Sequence, residues 1–227
     1  MVQSTSYKRN HIPLWLLLAV FLALAGCSMQ KSGSKVDSNR SDKESKAVAA
    51  VATPESSDDK AILKVDYLTP TGAIQAPELF VYKEKRRLYV IQSKVLVRDY
   101  PVGLGFNPRG DKEREGDGRT PEGEFSICIK NSSSRFIKSL GLNYPDKKHA
   151  ERAFFAGLIT PLEFRDILLS VENRATPPWG TTLGGKIFIH AGGAHKDWTD
   201  GCIALYNSDM EELFQIASVG TTVTIRP

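Results

Sequence analysis

Residues 186–205 read KIFIHAGGAHKDWTDGCIAL, and this stretch decides both the fold and the chemistry open to the chain. It begins as an apolar run with β-branched residues, which is typical of a buried strand. His190 ends that run before small residues, and after a polar loop Cys202 lies between Gly201 and a second short apolar run. A histidine and a cysteine placed at the edges of packed elements are suited to act as a base and a thiol nucleophile, because the thiolate is the reactive form.

The pattern around Cys202 is more specific than a cysteine–histidine pair, since a buried cysteine is commonly just a small apolar side chain. Residues 199–205 read Thr-x-Gly-Cys-Ile-x-Leu, downstream of an Ile-x-Ile-His run that ends in glycines. This pattern resembles the signature of the L,D-transpeptidase catalytic domain, the YkuD family. The resemblance implies that Cys202 is the acyl-accepting nucleophile and His190 its base, with oxyanion donors from the backbone around Gly201.

A second element supports the same resemblance. Residues 118–125 read GRTPEGEF, which is similar to the Thr-Pro-x-Gly-x-Phe element of the family. The chain departs from the family pattern in three ways: Asp200 stands where a histidine is frequent, Ala204 stands where an arginine is frequent, and Cys202 follows His190 by only twelve positions. The resemblance covers roughly residues 77–227 and indicates a divergent branch.

Residues 1–27 have the parts of a bacterial export signal. Lys8 and Arg9 form a basic start, residues 12–25 are almost wholly apolar, and the segment closes on Leu-Ala-Gly-Cys27. The apolar run is shorter than the roughly 20 residues of a membrane-spanning helix. The ending resembles the bacterial lipobox, in which the cysteine thiol is acylated, so we expect lipidation of Cys27. A plain signal peptide or a signal anchor is the alternative.

The rest of the chain divides into a tether and a domain. Residues 28–60 carry almost no large apolar side chains and bury too little surface to offset their ordering entropy, which predicts a disordered tether. Residues 61–227 have the length of one ordinary domain. Lys8 and Arg9 supply two of the net charge of +4, and the remaining excess is too small to indicate nucleic acid as a partner.

Short apolar runs separated by polar turns predict a β-meander at the start of the domain, with strands at 79–82, 87–91 and 95–102. A Gly-rich loop over 103–123 is of the long kind that is frequently functional. A capping box after Thr160 predicts a helix within residues 146–173. We therefore expect a mainly-β, YkuD-like fold, a twisted sandwich or partly closed barrel with an α-helical insertion that packs on the sheet or acts as a lid.

Several other residues are candidates for the substrate side of the site. The resemblance and the position in the sequence suggest that five residues line the substrate: Thr199, Asp200, His195, Tyr144 and Arg119. Ala204 removes the arginine that the resemblance would offer as one partner for the carboxylates of the stem peptide, and another cation could take its place. Arg119, Arg174 and Lys196 are the alternatives, and the sequence does not choose among them.

The cysteines leave two further alternatives open. Of three cysteines, Cys27 is assigned to lipid, and Cys128 and Cys202 either pair as a disulfide in an oxidising compartment or remain free thiols. A zinc site from His190, His195 and Cys202 would supply three ligands, but the spacings match no standard motif. We expect free thiols, no metal and no cofactor.

The resemblance implies a peptidoglycan-modifying enzyme. Cys202 would take an acyl group from a peptidoglycan stem peptide and pass it to an amine, which is L,D-transpeptidation. A cysteine hydrolase on the same bonds and a non-catalytic wall-binding lipoprotein are the alternatives. The expected partners are stem peptides, the membrane through the lipid anchor and a wall-linked lipoprotein. Because Ser28 rather than Asp follows Cys27, sorting in a Gram-negative cell would favour the inner face of the outer membrane.

Lipidation of Cys27 is directly testable. We expect metabolic labelling with palmitate to mark the wild-type protein and globomycin to block its processing, because only the acylated cysteine carries the lipid. Cys27→Ala is expected to lose the label. Equal labelling of the variant and the wild type would contradict the lipobox interpretation.

Overall fold

The structure, a computed structural model, describes residues 64–134 and 137–227. The predicted signal segment 1–27, with Cys27, and the predicted tether 28–60 lie outside the described residues. The described part belongs to one compact unit that spans residues 56–227.

A mixed sheet of nine strands forms the body of the unit. The strands are β1 (Lys64–Val65), β2 (Glu78–Tyr82), β3 (Arg87–Gln92), β4 (Val95–Pro101), β5 (Gly123–Ser134), β6 (Ile137–Leu142), β7 (Phe188–Ala191), β8 (Ile203–Leu205) and β9 (Thr222–Arg226). Their order across the sheet is β1-β4-β3-β2-β9-β5-β6-β7-β8. The mainly-β prediction is confirmed. The described strands form one open sheet that does not close into a barrel.

The predicted meander is present as β2, β3 and β4, which pair antiparallel. Alternation decides its inward face, since Leu79, Val81, Leu88 and Val90 are fully buried. The closing strand β9 then inserts between β2, to which it is parallel, and β5, to which it is antiparallel. The meander is thereby joined to the second half of the sheet.

The second half of the sheet carries the stretch that opened the sequence analysis. The long strand β5 pairs with β6, β6 pairs antiparallel with β7, and β7 pairs parallel with β8 at the edge. An isolated antiparallel bridge between Gly103 and Ala204 also holds the chain that leaves β4 against β8. The Gly-rich loop that starts at Gly103 therefore begins beside the strand that follows Cys202.

Three helices complete the unit: α1 (Lys147–Phe155), α2 (Pro161–Glu172) and α3 (Asn207–Ile216). The first two form the predicted insertion, and α2 begins with the predicted capping box of Thr160 and Glu163. Leu162 in its first turn is exposed, because the inward face of α2 centres on Ile167. Within the described residues, no helix has the length and apolar character needed to cross a bilayer.

The helical insertion has its own small core. The buried members of this cluster are Ala150, Ala153, Ile159, Ile167 and Leu183. Leu183 belongs to the loop that leads into β7, so the insertion anchors that loop by packing against it.

A buried histidine ties α1 to the Gly-rich loop. His149 is fully buried. Its Nδ1 contacts the carboxylate of Asp146, the N-cap of α1, at 2.5 Å, and its Nε2 contacts the carboxylate of Asp111 at 2.8 Å. An imidazole that meets a carboxylate on each nitrogen is best satisfied with a proton on both. Burial opposes the charged form, but the hydrogen bonds to Asp111 and Asp146 outweigh it and raise the pKa of His149 above its ordinary value.

We expect His149→Ala to lower the free energy of unfolding by about 3 kcal/mol, because it removes the buried imidazole that contacts both Asp111 and Asp146, while Asp111 keeps its ion pairs with Lys148 and Arg152. Since the folded pKa is raised, this contribution is complete below the ordinary imidazole pKa and is lost as pH rises through the raised value. Urea unfolding should therefore show a wider gap between wild type and variant near about pH 6 than near about pH 9.

His195→Ala is the matched control, because His195 is exposed, and it should change the unfolding free energy by less than about 0.5 kcal/mol. A gap that is constant with pH, or equal effects of the two variants, would contradict the role of the charged His149.

Candidate active site

His190 and Cys202 line one cleft at the edge of the sheet, with a volume of about 290 Å³. The register explains why they meet. His190 on β7 lies opposite Ala204 on the parallel strand β8, and Cys202 precedes Ala204 by two residues. Residues two apart share a face of extended chain, so the imidazole and the thiol emerge on the same side.

The ring of His190 is held in one orientation. It is buried, and its Nδ1 lies 2.6 Å from the carbonyl oxygen of Ala191. Because a carbonyl only accepts hydrogen bonds, Nδ1 carries the proton and Nε2 is the basic nitrogen of the neutral ring. The Trp198 ring packs edge-on against the imidazole at 5.6 Å between centroids, and its Nε1 donates to the carbonyl of Gly193 at 3.1 Å. The geometry suits a general base.

The sulfur of Cys202 lies between a backbone donor and a backbone acceptor. The amide N–H of Phe188 donates to Sγ at 3.4 Å, and the carbonyl of Lys186 accepts from Sγ at 3.5 Å. The first contact stabilises a thiolate and the second a thiol. Cys202 is half-buried, so both protonation states have a partner while the sulfur stays open to the cleft.

Hydrogen bonds of the Thr199 side chain fix the backbone of Gly201 and Cys202. The Thr199 hydroxyl donates to the carbonyl of Cys202 at 2.7 Å and accepts from the amide N–H of Gly201 at 3.1 Å. The N–H of Gly201 is thus engaged by Thr199, and the supply of oxyanion donors by the backbone around Gly201 and Cys202 stays a prediction. The Thr199 side chain lines the cleft but acts on the loop that carries Cys202.

Gly201 is required for its lack of a side chain. Its φ is 133°, and a Cβ atom there would lie 2.6 Å from the carbonyl oxygen of Arg119. Arg119 therefore braces the nucleophile loop with its backbone. Its guanidinium pairs with Glu113 at 3.0 Å and donates to the carbonyl of Asp111 at 3.2 Å. Arg119 is not among the residues that line the cleft, which corrects its assignment as a substrate contact.

Of the remaining residues that were predicted to line the substrate, one lines the cleft and two do not. Asp200 is exposed and lines the cleft. His195 is exposed but does not line it. The substrate-lining prediction for Tyr144 is wrong, because Tyr144 is fully buried, packs on the rings of Phe125 and His149, and donates from its hydroxyl to a backbone carbonyl.

Sequence reasoning missed several residues of the cleft wall. Two loops supply them: the Gly-rich loop contributes Lys112, Glu115 and Gly116, and the loop before β7 contributes Trp179, Gly184, Gly185, Lys186 and Ile187. The many glycines of the first loop were the sequence feature that could have indicated its place in the cleft. No sequence feature indicated Lys186, because it precedes an apolar run and resembles the first residue of a strand.

No disulfide joins Cys128 to Cys202, and both are thiols, as expected. Burial raises the pKa of the Cys128 thiol above its ordinary value, and its Sγ donates to the carbonyl of Gly141 at 3.4 Å. Cys128 is therefore a poor nucleophile. In the part of the chain that the structure describes, no three His, Cys, Asp or Glu side chains are grouped to hold a metal ion.

We expect Gly201→Ala to destabilise the nucleophile loop by about 2 kcal/mol, because the new Cβ meets the Arg119 carbonyl and a positive φ is costly for alanine. Alkylation of Cys202, followed by peptide mass mapping, should slow markedly. Gly180→Ala is the control, since a Cβ there meets nothing within 4 Å. Equal alkylation rates in the two variants would contradict the constraint.

Comparisons with known proteins place the chain in a family. The model of the L,D-transpeptidase catalytic domain (YkuD) matches residues 76–225. No curated protein is similar enough to this chain to count as a match.

Solved structures with similar folds include a point mutant of the helical cell shape determining protein Pgp2 from Campylobacter jejuni (21% identity, 66% of this chain and 46% of that chain, TM-score 0.46). Others are an L,D-transpeptidase from Xylanimonas cellulosilytica (15%, 70% and 63%, 0.42) and Bd1075 from Bdellovibrio bacteriovorus (20%, 72% and 51%, 0.43). The chain spans about half the length of the Pgp2 structure. On the match of the family model to residues 76–225, the chain belongs to the YkuD family of L,D-transpeptidase catalytic domains.

Proposed function

We propose that the protein is a cysteine-dependent L,D-transpeptidase that cross-links peptidoglycan. The observation that carries the proposal is the joint placement of His190 and Cys202 in one cleft, with the tautomer of His190 fixed by the Ala191 carbonyl. A thiol beside an oriented imidazole is an activated nucleophile for acyl transfer.

The first half of the reaction forms an acyl-enzyme. Nε2 of His190 takes the proton of the Cys202 thiol, and the thiolate attacks the carbonyl carbon of the third residue of a stem peptide. The bond to the terminal D-Ala breaks, and the leaving amine takes the proton back from His190. The product is a thioester between the stem and Cys202.

The second half of the reaction regenerates the enzyme. The amine of another stem, or of a lysine in a wall-linked lipoprotein, attacks the thioester. His190 accepts the proton of that amine and returns it to the departing sulfur. Water in place of the amine would make the same site a hydrolase. The proposed place of action is the periplasmic side of a membrane that holds the protein by a lipid on Cys27.

The nature of the acceptor is tested by the products. Purified sacculi are treated with the protein and digested, and the fragments are analysed by mass spectrometry. New amine-linked dimers are expected. Released monomers without dimers would establish a hydrolase instead, and unchanged fragments with retained binding would indicate a wall-binding protein.

Because Cys202 and His190 have different roles, their alanine variants should differ in activity. Cys202→Ala should abolish turnover with little loss of stability, because one thiol contributes little packing. His190→Ala should be severely impaired, with partial recovery at alkaline pH, because an unassisted thiol ionises at roughly pH 8.5.

A carbapenem should add one covalent mass to the wild type and none to Cys202→Ala, as read by intact mass spectrometry. Cys128→Ser is the control, and it should keep both turnover and the adduct under reducing conditions. An adduct on Cys128, or full activity of Cys202→Ala, would overturn the assignment.

A further inference from the structure

We propose that Lys186 binds the carboxylate of the residue that follows the attacked carbonyl, and so restricts the enzyme to the last peptide bond of a chain. This inference rests on the proposed function and deepens it by naming the feature of the donor that the site selects. In this proposal Lys186 supplies the positive charge for a substrate carboxylate, because this chain has Ala204 and no arginine at that position.

The position of Lys186 carries the first step. Its carbonyl accepts from the Cys202 sulfur at 3.5 Å, so the backbone of Lys186 lies directly beside the nucleophile. Its φ is 55°, a left-handed conformation that costs a non-glycine residue about 1–2 kcal/mol. Lys186 is exposed and is one of the residues that line the cleft.

The charges of the cleft carry the second step. Lys112, the other lysine of the cleft wall, is buried, and its ammonium is paired with Asp117 at 2.7 Å. Lys186 makes no ion pair with any residue in the ranges 64–134 and 137–227, although Glu115 and Asp200 line the same cleft. Lys186 is thus an exposed lysine of the cleft wall whose charge is available to an anionic group of the substrate.

The other candidate cations are excluded by their places in the fold. The Arg119 guanidinium is paired with Glu113 and braced on the Asp111 carbonyl. Neither Arg174 nor Lys196 is among the residues that line the cleft. Lys186 is therefore the exposed cation of the cleft wall within the described part of the chain.

Chain geometry decides which carboxylate is bound. Consecutive Cα atoms are about 3.8 Å apart, so a carboxylate on the residue after the attacked carbonyl lies within a few ångströms of the sulfur. The backbone of Lys186 has the same proximity through its carbonyl, and its four-carbon stem is long enough to bring the ammonium to that point. A residue that continues into a longer chain has an amide in place of this carboxylate and would leave the ammonium unpaired.

The carboxylate site is tested first without any peptide. Cys202 in the full-length protein is alkylated with iodoacetate, which is anionic, and with iodoacetamide, which is neutral, and the rates are followed by peptide mass mapping. The ratio of the two rates cancels changes in thiolate content. Lys186→Met should lower this ratio by about threefold or more, the size of one exposed ion pair, and Lys186→Arg should largely restore it.

Lys196→Met is the matched control, an exposed lysine outside the cleft, and it should keep the wild-type ratio. High salt should narrow the difference between wild type and Lys186→Met by screening. An equal ratio in wild type and Lys186→Met would overturn the inference.

The donor itself is tested next, with stem tetrapeptides that end in D-Ala as the free carboxylate or as the carboxamide. The wild type should prefer the carboxylate, and Lys186→Met should lose the preference through a higher KM for that peptide. A Lys186-dependent alkylation ratio without turnover of either peptide would keep the carboxylate site and reject the transpeptidase proposal. Turnover that ignores the terminal group in both proteins would keep the transpeptidase and reject the role of Lys186.

Discussion

The parallel pairing of β7 with β8 is the interaction on which the candidate site depends. It places His190 opposite Ala204 and so brings the imidazole to the same face as Cys202, two residues earlier. All three residues of β8 are buried, and the bridge from Gly103 to Ala204 covers the strand on its other side. The short edge strand is thereby paired with β7 on one side and bridged at Ala204 on the other, which keeps the nucleophile in place although its own loop has no regular structure.

The carboxylates of Asp117 and Asp111 hold the Gly-rich loop beside the cleft in one conformation. Asp117 accepts hydrogen bonds from the backbone of Glu113, Arg114 and Arg119, and it pairs with the buried ammonium of Lys112. Asp111 joins the same loop to α1 through His149. The Arg119 carbonyl then lies against Gly201. The Gly-rich loop is therefore built from side-chain to backbone hydrogen bonds, and it transmits its position directly to the residue before the nucleophile.

Local signals in the sequence were enough for the elements and for the two central residues. Alternation of apolar residues predicted β2 to β4, a capping box predicted α2, and the residues around Cys202 predicted that it shares a site with His190. Contacts between distant segments were not predictable. Tyr144 ends a strand in sequence but packs on a helix residue, and Lys186 gains its place in the cleft from a loop conformation that no local pattern encodes.

The central claim is that Cys202 becomes acylated by a stem peptide, and one measurement tests it most directly. The protein is mixed with a donor tetrapeptide that ends in D-Ala, without an acceptor amine, and its intact mass is recorded, followed by mapping of the modified residue. The account predicts an adduct on Cys202 equal in mass to the donor acyl group without its last residue. An unmodified Cys202 in the presence of consumed donor, or an adduct on another residue, would contradict it.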